Sequence, residues 1–201
     1  MSEEIIISNS NEQTVDPTVS RKKFDLETQD FLQSYSRYRK RGIILLGYEF
    51  PNIKLAFMAV KINPAPLVFA VEINFTNYDL EAPSVKFINP FLDTPIDITQ
   101  LPHQFPRKIG QLKNQINLQT LVLSQADKIP FFCIPGVREY HNHPAHTGDS
   151  WLLHRGTGGE GTLGFLVEKL YQYGISGING FQFPGSFQKV TVTFDPQTIP
   201  E

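Results

Sequence analysis

The side chains able to do chemistry crowd into one stretch of this chain: Cys133-Ile-Pro-Gly-Val-Arg-Glu139-Tyr-His141-Asn-His143-Pro-Ala-His146, running on to Trp151 and His154. It holds the only cysteine, the only tryptophan and four of the five histidines. A thiolate, a carboxylate and two imidazoles make a complete tetrahedral set for zinc. In an extended segment side chains alternate with period two, so Glu139, His141 and His143 would share one face if 139–143 is a strand. The Pro135-Gly136 pair reads as a turn able to bring Cys133 back over that face. Cys133, Glu139, His141, His143 and His146 are therefore the expected ligands, with zinc as the expected metal. His146 is able to replace either of the other two histidines.

The same groups support two other chemistries. A thiol beside an imidazole is a nucleophile that accepts acyl groups. Here Cys133 would attack, one of His141, His143 and His146 would serve as base, and Glu139 would orient it. Alternatively His141-x-His143-x-x-His146 would hold a hydrolytic metal and Glu139 would take the proton from its water. Asp149 is the expected acidic partner to orient a ligating imidazole. His154-Arg155 reads either as a donor of outer hydrogen bonds, as ligating groups require, or as a solvent-facing loop. Trp151 is expected to pack against the helix that follows.

Those residues need a scaffold, and the rest of the sequence supplies one. Thr28 to Arg41 reads as a helix with Phe31, Leu32, Tyr35 and Tyr38 near one face; its end carries Arg37, Arg39, Lys40 and Arg41. Four strands follow at 42–50, 54–62, 67–75 and 84–88, each closed by proline or asparagine. Short links between consecutive strands predict an antiparallel meander with one face on helices and the other wetter. Residues 93–130 carry an apolar patch at 118–123 that suits a further strand and otherwise no clear regular structure. Arg155-Gly-Thr-Gly-Gly-Glu-Gly is a glycine-rich turn without the Lys-Ser/Thr ending of a phosphate loop. Thr162 opens a helix with Leu163, Leu166, Val167, Leu170 and Tyr171 on one side, stopped at Gly174. A last strand is expected at 189–194.

Composition bounds the functional classes. A length of 201 residues suits one domain. A net charge of −2 gives no basic field for nucleic acid. A single cysteine excludes an internal disulfide framework and fits a reducing cytoplasm. Residues 1–22 read as a flexible N-terminal tail without signal-peptide character. The most apolar region, 42–75, is interrupted by Glu49, Lys54, Lys61 and Glu72, so no membrane partner is expected.

Helix, meander, irregular stretch with a cysteine, tryptophan and helix is an order that resembles the ubiquitin-conjugating (UBC-like) fold over about residues 25–175. Phe69-Ala-Val-Glu-Ile-Asn-Phe-Thr-Asn-Tyr78-Asp-Leu-Glu-Ala-Pro83-Ser-Val-Lys-Phe87 is similar to that family's third strand, Tyr-Pro…Pro-Pro turn and fourth strand, with Asp79 and Ala82 where the family has prolines. The family's His-Pro-Asn motif, whose asparagine supports the oxyanion, is absent ahead of Cys133. The stretch 133–146 resembles the predicted metal-binding CEHH family of bacterial ubiquitin-like conjugation operons, with Cys133, Glu139, His141 and His143 on its Cys, Glu, His, His pattern. Together these resemblances imply an α+β, UBC-like metal-binding domain over residues 23–201. They imply a cytoplasmic, zinc-binding accessory component partnering an activating enzyme, a conjugating domain or a ubiquitin-like protein. A conjugating enzyme with Cys133 as thioester nucleophile is the second expectation, and a metal-dependent hydrolase the third.

Overall fold

The computed structural model describes residues 14–112, 115–124, 127–156, 158–182, 191–194 and 200. It is a mixed α+β structure whose sheet is antiparallel. Two helices come first, α1 (Pro17–Gln33) and α2 (Tyr35–Lys40). The Asp16 side chain accepts from Thr18 N–H, and Pro17 occupies the first turn, where no amide donor is needed. The helix thus starts earlier than expected and takes in residues 17–22 of the anticipated tail; residues 1–13 lie outside the described residues. Thr28 is buried in mid-helix instead of capping it. The expected run to Arg41 is interrupted at Ser34.

The meander forms as β1 (Ile43–Glu49), β2 (Asn52–Met58), β3 (Leu67–Asn74) and β4 (Ser84–Asn89), each paired with the next. It continues beyond four strands. β5 (Thr94–Pro95) pairs with β4, and β9 (Pro130–Phe132) joins β4 through Lys86 and Phe131. β8 (Val122–Ser124) lies outside β9. The region 93–130 also holds a hairpin of β6 (Pro106–Leu112) and β7 (Gln115–Thr120), so the apolar patch at 118–123 is shared between two strands. These elements are short and proline-punctuated, and their hydrophobic period is hard to read from sequence. α5 (Leu163–Gly174) follows, then a hairpin of β10 (Ile178–Gln182) and β11 (Thr191–Phe194).

One face of the sheet carries the core. Phe69, Val71 and Ile73 of β3 are buried on the same side, and Phe75 follows them in the same alternation. Phe57 stacks on Phe69 at 4.5 Å, and Phe105 reaches Phe69, Phe87 and Phe132 within 5.6 Å. Burying each such side chain contributes roughly 1.5–3 kcal/mol. Phe24, Phe31 and Tyr38 from the first two helices and Leu163, Leu166, Val167 and Leu170 from α5 complete this layer. The opposite face has a small buried cluster of Ala56, Ala70 and Ile88 beside the charged neighbours Lys54, Glu72 and Lys86. Among the described residues no helix is long and apolar enough to cross a membrane.

α5 is fixed at both ends. Thr162 accepts from Phe165 N–H, while Glu27 of α1 accepts from Leu163 N–H at 3.0 Å, a carboxylate at the positive end of the helix. At the other end His103 Nε2 meets the Gly174 carbonyl at 2.7 Å. A Cβ at Gly174 would lie 2.6 Å from the Phe69 ring, so only glycine lets this turn sit so close to the sheet.

Candidate functional site

β9 delivers Cys133. Its position is set by backbone pairing: Cys133 N–H donates to Leu121 O at 2.7 Å, just past the end of the strand. The chain then turns at Pro135-Gly136, as read from sequence. Gly136 has φ +88°, and a Cβ there would lie 2.5 Å from Gly161 N. A Cβ at Gly161 would in turn lie 2.4 Å from the Trp151 ring. The glycine-rich turn therefore has a packing role: at Gly161 its backbone fits between the Gly136 backbone of the cysteine loop and the Trp151 indole. Trp151 opens α4 (Trp151–His154), is buried in the main core and donates from Nε1 to Asp79 O at 3.0 Å.

The next residues do not form the expected strand. Arg138–His141 is a single helical turn, α3. Residues two apart on a helix point about 200° apart around its axis, so Glu139 and His141 diverge instead of sharing a face. Glu139 turns toward β4, where its carboxylate accepts from the Ser84 hydroxyl and from Val85 N–H at 3.2 Å. Burial pushes its pKa up, and these two donors pull it partly back. Arg138, 3 % exposed, locks the turn in place: its Nε is 3.0 Å from Ala82 O and 3.2 Å from the Glu81 carboxylate.

His141 is fully engaged. Gly136 N–H can only donate and Asp149 O can only accept, so Nε2 accepts from Gly136 at 3.0 Å and Nδ1–H donates to Asp149 at 2.8 Å. This neutral tautomer staples the cysteine turn to the 149 loop, and burial lowers the ring's pKa. His143 Nδ1 accepts from Ala145 N–H, with its ring against Phe131.

His146 is the histidine that reaches the sulfur. Its Nε2 lies 3.3 Å from Cys133 Sγ, and its ring stacks on Tyr140 with centroids 3.8 Å apart. Tyr140 is held by a 2.6 Å hydrogen bond from its hydroxyl to Asp149. Asp149 also receives His154 Nε2 at 2.5 Å, and His154 Nδ1 meets Glu160 at 3.0 Å. These hydrogen bonds hold the Asp149 carboxyl below its usual range and His154 above its own, with the imidazole set between the two acidic side chains. Asp149 was expected to orient a ligating imidazole; its backbone carbonyl meets His141 and its carboxylate pairs with His154. His146 also lines an open cleft of about 510 Å³, with Leu80–Ala82 on one side and His141–Pro144 and Thr147–Leu152 around it.

Zinc requires its donors around a single point. Among the described residues no three His, Cys, Asp or Glu side chains are arranged to hold a metal ion. Cys133 and His146 come together; Glu139 is bound to Ser84 and Val85, and both His141 nitrogens are occupied. The five residues therefore do not assemble into the four-ligand set, and Glu139 is not placed as a base for metal-bound water. Tyr140 and Arg138 were missed as positioning residues, although both lie inside the stretch singled out. An arginine flanked by apolar Val137 on a loop is the signal that could have exposed Arg138.

Fold and site together define an α+β domain that carries a thiol–imidazole pair just beyond a sheet strand. The chain belongs to the Y4jH family: the Y4jH-like family model matches residues 15–178, which include every residue of this site. The uncharacterized protein y4jH of Sinorhizobium fredii (strain NBRC 101917 / NGR234) is 40% identical over 202 residues, 94% of this chain and 98% of that one.

Proposed function

We propose that this protein is a UBC-like component of a bacterial ubiquitin-like conjugation system in which Cys133 accepts the C-terminal acyl group of the ubiquitin-like protein as a thioester. The observation that carries the reading is the 3.3 Å approach of His146 Nε2 to Cys133 Sγ, at the end of a strand that extends a helix-flanked antiparallel meander. The element order and the position of the cysteine between sheet and final helix agree with the UBC-like resemblance.

Burial pushes the Cys133 thiol above its ordinary range, so at neutral pH it rests protonated. His146 is positioned to take that proton as the sulfur attacks. Tyr140, anchored by Asp149, keeps the imidazole in place by stacking. In the transfer, the Cys133 sulfur bonds to the acyl carbon, the carbonyl electron pair moves onto oxygen, and its return expels the thiolate of the activating enzyme.

The test is charging of the purified protein with the activating enzyme and ubiquitin-like protein of the same organism plus ATP. An adduct removed by excess thiol and lost in Cys133→Ala is expected. Absence of any adduct, together with one tightly held zinc per chain that Cys133→Ser releases, would replace this reading with that of a zinc-binding accessory module.

A further inference from the structure

Between Asp97 and Asp127 the sequence holds no acidic residue and the cations Arg107, Lys108 and Lys113, although the chain has 20 acidic residues. The middle of this run forms the hairpin β6–β7, which among the described residues is a two-stranded sheet of its own, separate from the main sheet. A two-stranded hairpin left to itself is marginal in water, so its anchor and its open faces both matter. The anchor is at the cysteine loop. Phe105, just before β6, accepts Leu121 N–H at 3.0 Å, and Leu121, just after β7, accepts Cys133 N–H at 2.7 Å; both side chains are buried. Beyond that base the hairpin is open. Ile109, at the register shift between Lys108 and Gly110, is 60% exposed, and Leu118 is 49% exposed. Lys108 lies opposite Leu118, so cation and leucine share one face. Arg107 donates to Gln119 across the hairpin, whereas among the described residues Lys108 has no acidic partner.

We propose that the β6–β7 hairpin is a docking arm for the body of the ubiquitin-like protein, and that Lys108, Ile109 and Leu118 meet an acidic face of it that carries an apolar patch. The identity of the partner rests on the thioester reading: a protein joined to Cys133 by its C-terminus has its body beside the segment whose base is bonded to the Cys133 backbone. The chemistry of the partner rests on the hairpin itself. Its acid-free, cationic composition attracts an acidic surface and repels a basic one. Single exposed apolar residues are ordinary, but two of them beside an unpaired cation on a hairpin with open faces have the make-up of an interface. A nucleic acid is the poorer fit, since phosphate binding needs a dense row of cations and this chain has a net charge of −2.

The test is direct binding, without ATP or activating enzyme. Isotope-labelled ubiquitin-like protein of the same organism is titrated with the full-length protein and followed by NMR. The wild type is expected to shift one contiguous set of resonances that includes acidic residues, with affinity falling as salt rises. Lys108→Glu and Leu118→Glu should each weaken binding by at least about fivefold. Ile109→Ser serves if Leu118→Glu does not fold. Lys22→Glu, the same charge change on an exposed position of α1, should leave binding unchanged. No binding by the wild type would overturn the proposal, as would binding that the folded hairpin variants leave intact. So would binding of a short DNA duplex in place of the ubiquitin-like protein, lost in Lys108→Glu. Hairpin-dependent binding without charging of Cys133 rejects the thioester reading alone; charging with hairpin-independent binding rejects the docking arm alone.

Discussion

At the scale of residues, the site divides the stretch 133–146 into groups that face the sulfur and groups that hold the loop. His146 belongs to the first set, and His141, Glu139 and Arg138 to the second. General-base assistance is worth about 10²–10⁴-fold, so His146→Ala should slow charging of Cys133 by at least about 10²-fold. His143→Ala, whose ring nitrogen is occupied by Ala145 N–H, should change it only a few-fold. Single-turnover charging rates compare the two. Tyr140→Phe keeps the stacked ring and loses only the Asp149 bond, so it should be milder than Tyr140→Ala. Glu139 gives a pH signature of its own. Its folded pKa is raised, so the native state binds the proton more tightly than the unfolded chain does. Stability from this group therefore rises as pH falls through the folded value toward the free-carboxyl range, and Glu139→Gln should remove that rise in urea melts run over descending pH. The residue types of the site could be read from the sequence because cysteine, histidine and tryptophan are scarce here. Their directions could not: two-residue spacing points to one face only in a strand, and α3 is a helical turn.

The elements explain why those directions hold. The cysteine loop, the glycine-rich turn and Trp151 approach too closely for a Cβ, so Gly161→Ala must displace either the indole or the Gly136 backbone. We expect this substitution to cost about 1–3 kcal/mol and to slow charging as well, because Trp151 and His141 sit in the same layer. Gly174→Ala should cost a similar amount through the Phe69 ring, with charging unchanged in the folded fraction. Chemical denaturation and charging of the same samples separate the two outcomes. The meander and α5 were legible because their apolar residues keep a clean period, as Phe69, Val71, Ile73 and Phe75 show. The hairpin at 106–120 and the strands at 122–124 and 130–132 were not. Their pairing is decided by partners distant in sequence, Lys86 with Phe131 among them, and no local pattern records that.

For the whole molecule, one buried imidazole couples the fold to pH. His103 donates from Nε2 to Gly174 O and accepts at Nδ1 from Phe105 N–H, and burial lowers its pKa to about 4. The unfolded chain takes up a proton as pH falls below about 6.5, and the native chain does so only near 4. Stability from this group is complete above 6.5 and is lost as pH falls toward 4, by up to roughly 3 kcal/mol. His103→Gln should flatten that acid limb and leave the opposite trend of Glu139 visible in urea melts. His103 lies outside the stretch that holds the other four histidines, and sequence gave no sign that it closes α5 against the aromatic core.

The claim at the centre of this account is that Cys133 is a free thiol paired with His146. Native thiol titration alongside metal analysis of the freshly purified, reduced protein tests it most directly. The account predicts one titratable thiol per chain, slowed by His146→Ala, with zinc well below one equivalent. A thiol that stays silent until a chelator removes one bound zinc would contradict it.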